Sequence, residues 1–304
     1  MNNIQTRILL PPPDLRRKVS NTADETEYLM VGSRTASMIR QVLLKNGYDV
    51  AAFERTLDFA CGCGRTLNFM SHFVCSSHLY GCDYDSDLID WCKKNIQIAE
   101  FRLNGEIPRT DWPDSFFDFI YSMSFFSHLT AADQKRWLGE WRRILKGDGL
   151  VLVSVHGKGL ARRAQVRLKR GFAYTVVGPA FNERVTYQSR GFVKREWGDL
   201  FDIVAFEEQG LADHQDVILL GRRDYARHRR QLRPVEISPE LMREYSRRPD
   251  LQMEFDESGI GRPKSSWRNL TLLDWAHFYG GKEVPELRHL LLENFYSVAR
   301  TERI

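Results

Sequence analysis

Between residues 53 and 222, short runs rich in β-branched and aromatic side chains alternate with amphipathic stretches. The runs lie at 56–60, 78–82, 116–122, 150–155, 201–206 and 216–220. Strands separated by helical patterns build an α/β fold, a mostly parallel sheet covered by helices. A short glycine-containing loop joins the last two runs, which predicts an antiparallel pair at the sheet's edge. Two helices stand out. Residues 25–45 repeat apolar positions at Leu29, Met38, Ile39, Val42 and Leu43. Trp137, Leu138, Trp141, Ile144 and Leu145 share a second helical face, with Thr130 as N-cap and Gly147 as terminator, so the tryptophans are expected in the core.

After Arg222 the alternation stops, and 224–304 reads as a mainly helical extension. Its last segment, 285–298, sets Leu287, Leu290, Leu291, Phe295 and Val298 on one stripe. The chain therefore divides into an N-terminal arm (1–30), an α/β domain (31–223) and a helical C-terminal extension (224–304). Within the domain, the stretch from about 157 to 200 is far longer than a strand-to-helix connection needs. It is expected to form a small helix and hairpin as a lid. No internal repeat is present.

Composition adds little beyond class. The chain has 304 residues, 42% hydrophobic and 12% aromatic, which marks a packed globule rather than a disordered chain. The longest apolar stretch, 150–155, is interrupted by Ser154 and falls far short of the roughly 18–20 residues of a membrane span. Before three prolines the N-terminus has only the apolar run Ile8, Leu9 and Leu10, so no secretory leader is expected. Five dispersed cysteines form no disulfide framework, and a reduced, cytoplasmic setting is the expectation. The 44 Lys and Arg against 40 Asp and Glu, net +4, do not by themselves name a partner.

The informative segment is 56–67, where a strand runs into Gly62-x-Gly64 and then into a helix carrying Leu67, Phe69 and Met70. Glycines suit a tight strand-to-helix turn because the backbone angles are unusual and a side chain would obstruct a ligand approaching the backbone. Asp83 ends the next strand, nineteen residues beyond Gly64, where a carboxylate can accept from ribose hydroxyls. Asp58 lies inside the first strand, and a buried carboxylate there requires donors or a positive charge. A dinucleotide fingerprint needs a third glycine three residues after Gly64; Leu67 stands there instead, which counts against NAD. Two acids suit a cofactor with a cationic end. Cys61 and Cys63, with Cys75 or Cys82, do not have structural-zinc spacing, so no metal site is expected.

The segment 57–65, LDFACGCGR, resembles the nucleotide-loop motif of class I S-adenosylmethionine-dependent methyltransferases, with Ala60 where glycine is common. Residues 81–85 resemble that family's ribose-binding segment, 114–129 its fourth strand and 145–157 its fifth, in consistent order over about 30–222. The SerHisLeu, TrpLeuGlyGluTrpArgArgIleLeu and ValHisGly combination resembles a bacterial branch associated with glycan and natural-product assembly. The resemblance implies a doubly wound, Rossmann-like sheet of seven strands with an antiparallel last strand, and S-adenosyl-L-methionine as cofactor. It implies that Asp58 orients the methionine amino group and that the backbone from Phe59 through Ala60 and Gly62 to Gly64 lines the cofactor. Asp83 would hold the ribose, Tyr84 stack on the adenine, Asn104 and Gly105 close over the base, and Ser122 and Met123 lie beneath the sulfonium.

Methyl transfer from a sulfonium is an in-line displacement, and alignment is the protein's main task. A hydroxyl acceptor also needs a base, for which histidine is suited near neutral pH. His156 follows the fifth strand, His214 opens the last, and His128 follows the fourth, all at one sheet edge. His156 and His214 are the base candidates, with His128 nearer the cofactor. Tyr187 and Arg190 are the candidate substrate contacts, Arg190 suiting an acidic acceptor. No Asn/Asp-Pro-Pro-aromatic loop follows the fourth strand and no Pro-Cys pair occurs, which leaves oxygen methylation of a small molecule or sugar. Nucleic acid is not the expected partner. The basic runs at 162–170 and 222–233 nevertheless keep an RNA-binding methyltransferase as an alternative, with a non-catalytic cofactor-binding module as a third. The C-terminal helices offer a homodimer surface.

Overall fold

In the computed structural model, residues 9–20, 23–71, 73–74, 79–178, 183–211 and 214–222 are described, together with 253–255 and 261–263. The sheet has seven strands in the order β3-β2-β1-β4-β5-β9-β8. They are β1 (Thr56–Phe59), β2 (Leu79–Asp83), β3 (Glu100–Leu103), β4 (Phe117–Ser122), β5 (Leu145–Val155), β8 (Phe201–Leu211) and β9 (Gln215–Arg222). Neighbours pair in parallel except β9, which runs antiparallel to both β5 and β8. The last strand of the sheet is therefore antiparallel, as the resemblance implies, and it sits between β5 and the edge strand β8.

Helices cover both faces. On one, α2 (Glu25–Lys45), α3 (Arg65–Met70) and α4 (Ser86–Asn95) bury Ile39, Leu43, Leu67, Met70 and Ile89 against Phe119, Tyr121, Leu150 and Leu152. On the other, α5 (Ala131–Ile144) and α7 (Arg190–Trp197) bury Trp137, Trp141 and Trp197 against Leu57, Phe59, Ile120, Val151 and Val153. Alternation along β5 sends successive side chains to opposite cores, and burying each large apolar side chain stabilises the fold by about 1.5–3 kcal/mol. The tryptophans of α5 are core, as their spacing predicts, and the Thr130 hydroxyl accepts from Asp133 N–H at the helix start. Gly147 does not end α5: the helix stops at Ile144 and β5 begins at Leu145, placing Gly147 inside the strand.

Three further elements bear on function. A short helix, α1 (Pro13–Ser20), precedes α2; its Leu15 is buried beside Cys63, Tyr28 and Leu88. Between β5 and β8 lie α6 (Lys158–Arg163) and an antiparallel hairpin of β6 (Phe172–Val176) and β7 (Arg184–Gln188), then α7. Near the C-terminus β10 (Met253–Phe255) pairs antiparallel with β11 (Gly261–Pro263). The rest of 224–304, including the expected helix at 285–298, lies outside the described residues.

Candidate cofactor and acceptor site

The strand order reverses between β1 and β4, and ligands in such sheets bind at the carboxyl ends of the strands flanking the reversal. The turn after β1 lies there. Ala60, Gly62 and Gly64 all have positive φ, at 61°, 56° and 67°. A Cβ on Gly64 would stand 2.7 Å from Ile96 Cδ1 just beyond α4, and the positive φ is one that side chains rarely adopt, so glycine suits the turn.

Asp83 ties this turn in place. Its Oδ2 accepts from Gly62 N–H at 2.9 Å and its Oδ1 from Asp85 N–H at 3.0 Å. The helix cap at the start of α4 is Asp85, whose carboxylate accepts from Asp87 and Leu88, so Asp83 is not needed for that purpose. Burial raises the Asp83 pKa against the opposing pull of its backbone donors.

Asp58 is buried in β1, and Tyr121 of β4, its register partner, donates to Asp58 Oδ2 at 3.0 Å. Desolvation pushes Asp58 up to about 8, only partly countered by Tyr121. The carboxyl is thus primed for a cation. Close by, Arg65 at the head of α3 places its guanidinium 5.7 Å from the Tyr28 ring centre, and no carboxylate pairs with it among the described residues. Desolvation lowers its pKa. Arg65 was not among the residues singled out from sequence; only its position beside Tyr28 of α2 and Asp58 brings it to notice.

The adenine side is apolar and open. Tyr84, Leu103 and Ile107 are exposed, and Asn104 Oδ1 is a buried acceptor without a donor among the described residues. Asn104 N–H donates to Asp83 C=O at 2.9 Å, and its Nδ2 donates to Gly105 C=O at 2.8 Å, fixing Oδ1 as the remaining acceptor. Ser122 has its hydroxyl committed to Phe59 C=O at 2.8 Å, and Met123 packs on the core that α2, α3 and α4 cover. These residues fit S-adenosylmethionine: a carboxyl for the ammonium, a free guanidinium for the carboxylate, Asp83 for the ribose and Asn104 for the base.

The three histidines converge. His156 lies immediately beyond β5, His128 ends a 3₁₀ turn (Phe126–His128) after β4, and His214 precedes β9, whose Asp216 pairs with Val155. The His156 ring centre is 6.5 Å from that of His128, 6.0 Å from His214 and 5.4 Å from Tyr187. Tyr187 pairs with His156 in an isolated bridge, which seats the β6–β7 hairpin against the histidine row. Arg190 instead places its guanidinium 5.3 Å from the Phe206 ring on β8.

His128 Nδ1 lies 2.6 Å from Arg184 C=O, and burial lowers its pKa. His214 is lowered by burial and by the charge of Arg163. His156 is pushed down to about 3 by burial and by the two neighbouring histidines. Its Nδ1 is buried and has no hydrogen-bond partner among the described residues. Cys61, Cys63, Cys82 and Cys92 are buried thiols, and among the described residues no group of three or more His, Cys, Asp or Glu is placed to hold a metal ion. Cys75 lies outside the described residues.

Residues 57–153 match the family model described as a methyltransferase domain. The matched segment carries Asp58, the glycine turn and Asp83. The chain is similar to a SAM-dependent methyltransferase from Aquifex aeolicus, at 18% identity over 70% of this chain and 98% of that one, TM-score 0.47. It is also similar to the glycopeptide N-methyltransferase MtfA complexed with S-adenosyl-L-homocysteine, at 15% identity over 63% of this chain and 90% of that one, TM-score 0.48. A third similar structure is an S-adenosylmethionine-dependent methyltransferase from Clostridium acetobutylicum, at 11% identity over 69% of this chain and 96% of that one, TM-score 0.47. Among the described residues no helix is long and apolar enough to cross a membrane.

Proposed function

We propose that the chain methylates an oxygen of a small molecule or sugar. The buried Nδ1 of His156 carries this reading, because it is a polar atom at the strand ends with no partner among the described residues. A substrate hydroxyl supplies its missing partner. An unmade hydrogen bond at a buried polar atom costs about 1–3 kcal/mol, so such an atom is retained where a ligand completes it.

When bound, S-adenosylmethionine supplies an activated methyl group. Asp58 holds the ammonium, Arg65 the methionine carboxylate, Asp83 the ribose hydroxyls and Asn104 Oδ1 the adenine amino group, while Tyr84 flanks the base. The turn from Phe59 to Gly64 gives backbone contact, with Ser122 and Met123 beneath the reacting end. His156 accepts the hydrogen bond of the substrate hydroxyl and takes its proton; His214 and Tyr187 flank it. Alignment in such a site contributes up to about 7–11 kcal/mol, and the base a further factor of about 10²–10⁴.

The test is methyl transfer from labelled S-adenosylmethionine to a panel of hydroxylated small molecules and sugars. Formation of a methyl ether, slowed at least about a hundredfold by His156→Gln with cofactor affinity retained, supports the reading. A product methylated on nitrogen or carbon, or unchanged turnover in His156→Gln, contradicts it.

A further inference from the structure

Charge is unevenly placed around the histidine row. Residues 157–200 hold ten Lys and Arg against three Asp and Glu, whereas the whole chain holds 44 against 40. All ten cations are exposed. Arg195 pairs with Glu196 at 2.8 Å, but Lys158, Arg162, Arg167, Lys169 and Arg170 have no carboxylate partner among the described residues. A scattered solvated face would show the usual mixture of signs. This segment does not.

Two of these cations bracket the row. Arg184 shares a strand face with Thr186, whose hydroxyl donates to Leu129 C=O at 2.6 Å, and the Arg184 carbonyl itself meets His128. The Arg184 backbone therefore anchors the turn that carries His128, and its exposed side chain leaves the strand at that end of the row. At the other end, α6 starts two residues after His156 and packs against β7, and the charge of Arg163 in its last turn reaches both His214 and Asp216. Asp216, the carboxylate at this edge, accepts from Gln209 N–H at 3.0 Å and lies directly under Gly157, where a Cβ would strike it. It is occupied with holding the loop. The site thus combines uncharged imidazoles with a cationic rim.

We propose that the methyl acceptor is an anion, a small molecule bearing a phosphate or carboxylate, which Arg163 and Arg184 grip at the two ends of the histidine row while its hydroxyl faces His156. This rests on the reading of that edge as the acceptor site. Guanidinium forks match both oxyanions in bidentate fashion, which lysine does not. The histidine centres are 6.5 and 6.0 Å apart, so the anion and the reacting hydroxyl are separated by the span of a small metabolite rather than of a polymer. A negative charge bound here also lifts His156 toward the range in which it works as a base.

The probes are inorganic pyrophosphate and malonate, titrated separately by calorimetry into the full-length protein saturated with S-adenosylhomocysteine. At least one anion is expected to bind, and the tighter of the two identifies the group. Arg163→Gln and Arg184→Gln are each expected to weaken it about tenfold with S-adenosylhomocysteine affinity retained, whereas Lys194→Gln on α7 leaves it unchanged. Absence of binding by both anions, or equal weakening in all three variants, overturns the proposal. So does a generic single-stranded RNA that displaces the anion and loses affinity equally in the three variants, since that identifies a nucleic-acid surface. If the wild-type protein fails to bind S-adenosylhomocysteine, the methyltransferase reading itself fails, a result separate from loss of anion binding alone.

Discussion

Tyr121 and Asp58 face each other across two parallel strands, with the phenol donating to the carboxyl at 3.0 Å in a site closed to water. Burial holds the Asp58 proton up to about pH 8, whereas the unfolded chain releases it near 3.8. The contribution of this group to stability is therefore complete below about pH 4 and is lost as pH rises toward 8. Asp58→Asn is expected to flatten that part of the stability profile, measured by urea unfolding of the cofactor-free protein.

With the proposed placement of the ammonium, the same pair is expected to make cofactor binding a proton-coupled event. An ammonium placed on Asp58 favours the carboxylate, so S-adenosylmethionine is expected to displace a proton near neutral pH. Calorimetry in two buffers of different ionisation heat measures it directly, and equal heats would show that Asp58 is not the ammonium's partner. Tyr121→Phe removes a hydrogen bond to the charged form and is expected to weaken cofactor binding about tenfold near neutral pH, with a smaller effect above pH 9.

Much of this site was legible in sequence because its parts are local. The strand, the glycines and Asp83 announce themselves at fixed offsets, and the α2 stripe with Asp24 ahead of it marks a helix whose N-cap accepts from Glu27 N–H at 2.7 Å. Other parts are not local. The edge strand β3 has only Phe101 fully buried, so it lacks the apolar run that marked the other strands. Helix α1 is eight residues after a proline run, held by tertiary contacts of Leu15 with the Cys63 region and by Lys18 bridging Asp85 and Asp87 at 2.8 Å each. Arg65 and Tyr121 acquire meaning only once α2 and β4 are brought beside them.

Ala60 has φ of 61°, in the left-handed region that costs a non-glycine residue about 1–2 kcal/mol. Ala60→Gly relieves this while adding about 0.4–1 kcal/mol of unfolded-state freedom, so a net gain of roughly 0.5–1 kcal/mol is expected in denaturant unfolding. Gly64→Ala goes the other way. Its positive φ and the contact with Ile96 predict a loss of about 2 kcal/mol or more together with cofactor binding.

His156 gives the acid limb of the stability profile. Its folded-state pKa of about 3 lies below the 6.5 of the free side chain, so the unfolded chain takes up the proton first. Stability from this group is present above about pH 6.5 and declines as pH falls toward 3. His156→Gln is expected to be less acid-sensitive than wild type over that interval, and an identical pH profile would place the ring in solvent.

Asp83 accepts from both Gly62 and Asp85, so it builds the turn on which the ribose is proposed to lie. The most direct measurement is calorimetric titration of S-adenosylhomocysteine into wild-type protein and Asp83→Ala. Saturable one-site binding to the wild type, weakened by about 1.5–3 kcal/mol in the variant, is the expected result. Absence of binding to the wild type, or equal affinity in the two proteins, would contradict the placement of the cofactor on this turn.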